Sequence, residues 1–203
     1  MGNIFSEYTA EERAVIDRVV TAYKNKAEPA EYLAAWHAYK ALPTAKQDST
    51  VYNGTRIYCG DLRFRAMEAT YMSGDYQKAL MLYNPNYCSG MSGRNWMYKF
   101  LINYKLYSGT NSSDYLTEMS KAAVGLLSSE YVPHLRVRTT YEDVVFFREE
   151  IPEEFRSTGN VAEIMAEILV ELNSIHNARV VYATLYQKTG QVKHFDRLNE
   201  LSQ

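Results

Sequence analysis

The sequence predicts an all-α chain built from packed helical hairpins, and three observations carry that expectation. Segment after segment places apolar residues three and four positions apart, the spacing that lines one face of a helix. A turn phrase in the middle, Gly74-Asp75-Tyr76-Gln77-Lys78-Ala79-Leu80-Met81-Leu82-Tyr83, follows one such stretch and opens another. Helical apolar spacing marks at least seven segments, and only residues 128–158 invite strands.

In chain order, Thr9-Ala10-Glu11-Glu12 is a capping box. The threonine hydroxyl accepts a hydrogen bond at the helix start while Glu12 reaches back to the free backbone N–H. Val15, Ile16, Val19, Val20 and Tyr23 mark the apolar face behind it. Pro29 suits the opening of a second helix, where a missing N–H costs nothing, and Pro43 ends it. Tyr32, Leu33, Trp36 and Tyr39 form its stripe. The polar stretch Thr44 to Thr55, with Asn53-Gly54, reads as a loop. A third helix is expected from Asp61, as N-cap, to Met72, and Gly74 turns the chain into a fourth. Asn84 to Gly93 reads as a second loop, because it holds Pro85, Gly90 and Gly93.

Trp96 to Tyr107 is the most aromatic helix, with Tyr98, Leu101, Ile102 and Leu106 on one face. Ser113 is placed to cap the next, from Asp114 to Leu127. Residues 128–158 read as a long connection with one short helix near Tyr141 to Phe147. Glu149, Glu150, Glu153 and Glu154 around Pro152 make a solvated acidic face there. From Asn160 the period returns in Val161, Ile164, Met165, Ile168, Leu169 and Leu172. Two more helices follow, one through Val181, Tyr182, Leu185 and Tyr186, the other through Val192, Phe195, Leu198 and Leu201.

A chain of 203 residues can bury a substantial core and is most simply one domain, 1–203, with residues 1–8 as an N-terminal arm. Hydrophobic residues at 46% and charged residues at 23% argue against wholesale disorder. A net charge of −2 gives no general attraction to nucleic acid or anionic lipid. Cys59 and Cys88 are too few for a disulfide framework, and no CxxC pair is present to bind zinc. No apolar run approaches a membrane span, and no secretory signal is visible. Glu7, Glu11 and Glu12 precede the first arginine, which speaks against a mitochondrial presequence. These features point to a soluble intracellular protein, cytoplasmic by default.

Met1-Gly2-Asn3-Ile4-Phe5-Ser6 fits the acceptor pattern for N-myristoylation at Gly2, and a membrane enters as partner only through that acyl chain. The opening pentapeptide resembles that of ADP-ribosylation-factor GTPases. No G-x-x-x-x-G-K-[ST] loop follows, so their chemistry is not implied. His37, His134, His176 and His194 form no paired ligand spacing and read as structural or surface residues. The expectation is therefore no enzyme, no metal, no cofactor and no small-molecule substrate.

The span Gly74 to Tyr83 resembles the core G-D-Y-x-K-A-L-x-x-Y of tetratricopeptide repeats, and Ser108-Gly109 and Thr189-Gly190 are weaker echoes. In that pattern the glycine makes the turn, Ala79 allows close helix approach and Tyr83 fills the seam. Ala183, Tyr186 and Gly190 match the same small, aromatic and glycine positions. The segment from Tyr182 to Leu201 is equally similar to pentatricopeptide repeats. Met67, Thr70 and Met91 depart from the pattern, and Thr110 to Ser113 is an insertion.

The resemblance implies a short solenoid whose hairpins stack because none can bury its own apolar face. It implies a non-enzymatic interaction module, an adaptor or accessory subunit with a protein partner. An alternative is a subunit similar in kind to the pentatricopeptide-like one on the catalytic head of euglenozoan mitochondrial ATP synthases. Another is RNA binding, with Arg56, Arg63, Arg65, Arg136 and Arg138 beside tyrosines, though the net charge argues against nucleic acid. Tyrosine is abundant, 18 residues against 7 phenylalanines, and suits wet helical seams and interfaces. The expected contact face is Tyr71, Tyr98, Tyr104 and Tyr107, with Arg63 and Arg65 as polar anchors.

Overall fold

A computed structural model describes residues 9–24, 29–42, 50–52, 55–57, 59–84, 92–130, 139–157 and 159–203. The described chain is all-α apart from one small hairpin, and it divides into two compact units, Met1–Pro85 and Asn86–Gln203.

In the first unit, α1 (Ala10–Lys24) packs on α2 (Pro29–Lys40), α2 on α3 (Cys59–Met72), and α3 on α4 (Tyr76–Leu82). The capping box forms: the Thr9 N–H donates to Glu12 Oε2 at 2.7 Å, and the Glu12 N–H to Thr9 Oγ1 at 3.2 Å. Ile16, Val19 and Val20 meet Ala35, Trp36 and Tyr39 in the core. Each such aliphatic side chain contributes about 1.5–3 kcal/mol when taken fully from water.

The α3–α4 turn follows the sequence pattern closely. Gly74 stands at φ +84, a region in which a Cβ clashes with the backbone. Its N–H donates to Tyr71 O at 2.9 Å and that of Asp75 to Thr70 O at 3.2 Å, the bond pair of a Schellman motif. Asp75 then caps α4 by accepting from the Lys78 N–H. Ala79 is fully buried and Tyr83 nearly so.

Two expectations change in this unit. Thr44 to Thr55 is not all loop, since β1 (Thr50–Tyr52) and β2 (Thr55–Ile57) pair antiparallel, Tyr52 opposite Thr55. Threonine, valine, isoleucine and tyrosine favour extended backbone, and two intervening residues fit a tight hairpin. Asn53-Gly54 itself lies outside the described residues. Asp61 is not the cap of α3, which starts two residues earlier, at Cys59.

In the second unit, α5 (Ser92–Thr110) and α6 (Ser113–Glu130) form a long hairpin. Trp96 lies against Gly125, where an added Cβ would come within 2.7 Å of the indole, and its Nε1–H donates to Ser129 Oγ at 2.8 Å. Next come α7 (Tyr141–Glu150), a 3₁₀ turn (Glu153–Phe155), α8 (Val161–Glu171), α9 (Ile175–Thr189) and α10 (Val192–Glu200). α6 packs on both α8 and α9, α8 on α9, and α9 on α10, while α7 covers α5. The α5–α6 and α8–α9 hairpins are thus stacked through α6.

The segment 128–158 holds more structure than a long connection. α6 continues to Glu130, and the expected short helix extends as α7 to Glu150, opened by a capping box between Thr140 and Asp143. The echo at Ser108-Gly109 also needs correction, because α5 runs through both residues. The left-handed residue is Asn111, at φ 55, whose N–H donates to Tyr107 O at 2.7 Å. Ser113 lies inside α6 rather than capping it.

Candidate functional site on α8, α9 and α10

Asn160 and Glu163 open α8 with a reciprocal box: Asn160 Oδ1 accepts from the Glu163 N–H at 3.0 Å, and Glu163 Oε2 from the Asn160 N–H at 2.9 Å. Gly159, at φ +52, leaves the room this needs, since a Cβ there would fall 1.8 Å from Glu163 Oε2. Glu163, Glu167 and Glu171 stand one turn apart and so share a face of the helix.

α10 lays basic residues against that face. His194 Nε2 and Lys193 Nζ lie 2.5 and 2.6 Å from Glu163 Oε1. Arg197 grips Glu167 with both prongs, Nε to Oε1 at 2.9 Å and Nη2 to Oε2 at 2.8 Å, and holds Glu200 through Nη1. The Tyr182 hydroxyl of α9 donates to Glu167. The other imidazole nitrogen of His194, Nδ1, is 2.9 Å from Thr189 Oγ1.

Burial pushes the Glu163 carboxyl upward, but hydrogen bonds from His194, Lys193 and the Asn160 backbone outweigh it and hold Glu163 below the usual carboxylate range. Burial and the bond to Glu167 push the Tyr182 phenol well above its ordinary value. The bonds to Glu167 and Glu200 do the same for the Arg197 guanidinium. These groups border an open cleft of about 450 Å³ whose walls also include Phe155 and Glu171. His194 is almost fully buried with both ring nitrogens engaged, one by Glu163 of α8 and the other by Thr189 at the end of α9.

The ionic inner face of α10 leaves two of its apolar residues, Val192 and Phe195, turned outward. Val192 is 67% exposed and Phe195 44%, while Leu198 and Leu201 are half-buried. On α9, Tyr186 is 39% exposed and its ring centroid lies 5.3 Å from that of Phe195. Residues in the positions of the repeat pattern are therefore not in the seam: Ala183 is half-buried and Tyr186 exposed, and Ala178, Val181, Tyr182 and Leu185 are buried in their place.

The contact residues expected from the sequence are placed differently. Tyr71 is buried, its ring 5.4 Å from that of Tyr76. Tyr98 is buried against Phe146, with the Arg94 guanidinium 5.8 Å from its ring centroid. Neither offers a surface to a partner, because a tyrosine at a hairpin seam packs its ring inward. Arg63 donates to the carbonyls of Met81, Leu82 and Tyr83, where it closes the end of α4, and Arg65 pairs with Glu68 at 2.6 Å. Tyr104 and Tyr107 are half-buried on α5, and burial together with Glu154 raises the Tyr104 phenol. His37 and His176 are exposed. Gly2, Cys88, His134, Arg136 and Arg138 lie outside the described residues, and no side-chain placement is described for Arg56 and Cys59.

The sequence reading missed the exposed set Tyr186, Val192 and Phe195. A signal was present in the four-residue period of Glu163, Glu167 and Glu171 and the matching Lys193-His194-x-x-Arg197 row. Among the described residues no group of histidine, cysteine and carboxylate side chains could hold a metal, and no helix is long and apolar enough to cross a membrane. No protein-family model, curated protein or solved structure matches the chain.

Proposed function

We propose that the chain is a non-enzymatic protein-interaction module, an adaptor or accessory subunit of a larger complex, that meets its partner through the outer faces of α9 and α10. One observation carries this reading. α10 docks by charge and turns Val192 and Phe195 to solvent beside Tyr186, the reverse of an ordinary surface helix. Large rings at the centre of a patch are the side chains that concentrate binding energy when a partner excludes water from them. The stacking of α5–α6 and α8–α9 through α6 supports reading this unit as a short tetratricopeptide- or pentatricopeptide-like solenoid.

The test is affinity capture from the source cell with quantitative identification of stoichiometric partners. Val192→Ser combined with Phe195→Ser lowers capture about tenfold or more, as expected for hot-spot loss of about 2 kcal/mol, and leaves the circular dichroism spectrum unchanged. Undiminished capture by the folded double variant rejects the surface.

A further inference from the structure

We infer that α10 is a hinged latch: it leaves α8 and α9 as a unit while the α5–α6 and α8–α9 hairpins stay packed. Among its nine residues only His194 is buried, whereas eight of the eleven residues of α8 are. Its contacts with α8 are polar, His194 and Lys193 on Glu163 and Arg197 on Glu167. On opening, the part-exposed Lys193 and Arg197 exchange their carboxylates for water, and of this helix only His194 leaves a buried site, so the net loss is smaller than that of exposing an apolar core.

α9 does not depend on α10 in the same way. It keeps Ala178, Val181, Tyr182 and Leu185 buried and packs on both α6 and α8. The joint between α9 and α10 is Gly190-Gln191. Gly190 is exposed at φ +65, a Cβ added there would meet nothing within 4 Å, and its N–H makes one turn-closing bond, to Tyr186 O at 2.8 Å. A glycine with open space around it absorbs the dihedral change of a hinge at low cost.

Opening moves Phe195 away from Tyr186, so a partner that covers both selects the docked helix. This consequence rests on the proposed contact face. The opening itself does not, and it is measured without a partner.

Amide hydrogen exchange of the full chain, read by mass spectrometry, tests the latch. Corrected for intrinsic rates, peptides within 191–201 exchange about tenfold or more faster than peptides of α6 and α8. Glu167→Gln, which removes the carboxylate from Arg197, speeds the 191–201 peptides about tenfold further and leaves α6 unchanged. Equal protection of α6, α8 and α10 in the wild type overturns the latch, and so does a folded Glu167→Gln variant in which α10 and α8 speed up together. The wild-type comparison decides alone if that variant does not fold. Separate opening of α10 combined with full capture by the Val192→Ser, Phe195→Ser variant upholds the latch and removes the contact face.

Discussion

Glu163 accepts hydrogen bonds from the Asn160 backbone, His194 and Lys193, so its charge supports both the start of α8 and the seat of α10. Its folded carboxyl sits below the ordinary range. A group depressed in this way contributes stability above its unfolded value, about 4.3 for glutamate, and loses it as pH falls through the lower folded value. Melting temperatures measured between about pH 6 and pH 3 are therefore expected to fall more steeply for the wild type than for Glu163→Gln. Parallel curves would remove Glu163 from the acid response. Ala79 makes a second residue-scale case. It is fully buried on α4, so Ala79→Glu takes a carboxylate out of water and into a close helix seam. The expected loss is several kcal/mol, of the order of the whole folding margin. An unchanged thermal transition would mean that the α3–α4 seam lies elsewhere.

The ends of helices show which local signals are readable and which are not. Among the described residues, left-handed ones follow four helices: Gly74 after α3, Asn111 after α5, Asn173 after α8 and Gly190 after α9. Gly74 and Asn173 sit in Schellman motifs, whereas Asn111 and Gly190 each close with a single bond. Gly74 and Gly190 were legible because glycine after a helical stripe is a stop signal. Gly109 carried the same signal and does not stop its helix, since asparagine two residues on tolerates the left-handed turn through its short polar side chain. The two glycines therefore respond oppositely to alanine. Gly74→Ala costs about 1–2 kcal/mol by forcing a Cβ into left-handed backbone. Gly109→Ala, in a helix with open space around it, gains about 0.5–1 kcal/mol. Urea melts of both variants check the pair, and the same sign for both would contradict the turn assignment. The β1–β2 hairpin was missed for a different reason: an Asn-Gly pair between short β-branched runs was read for its polarity rather than as a hairpin turn. The orientation of α10 was not readable from its own stripe at all, because it is set by carboxylates some thirty residues earlier on α8.

For the molecule as a whole, the all-α class was legible because apolar periodicity recurs through the chain, whereas the candidate contact face was not, because periodicity cannot show which stripe remains uncovered. Aromatic and arginine residues were the right chemistry to seek in a binding face, but most of those chosen hold the fold together. Arg63 illustrates the difference. Its guanidinium binds three consecutive carbonyls at the end of α4, where it satisfies acceptors that helix geometry leaves open and complements the negative helix end. Arg63→Ala is accordingly expected to cost about 1–3 kcal/mol of stability while leaving partner capture at native temperature unchanged. Phe195→Ser should do the reverse, since Phe195 is 44% exposed beside the Tyr186 ring and lies in the proposed contact face. Measuring both quantities on both variants separates a fold-holding arginine from a binding aromatic. RNA binding leaves a third signature, because phosphate contacts release counterions and affinity then falls steeply with added salt. Loss of capture in Arg63→Ala at full stability, with steep salt dependence and an inert Phe195→Ser, would transfer the function from a protein-binding face on α9 and α10 to a basic one around Arg63.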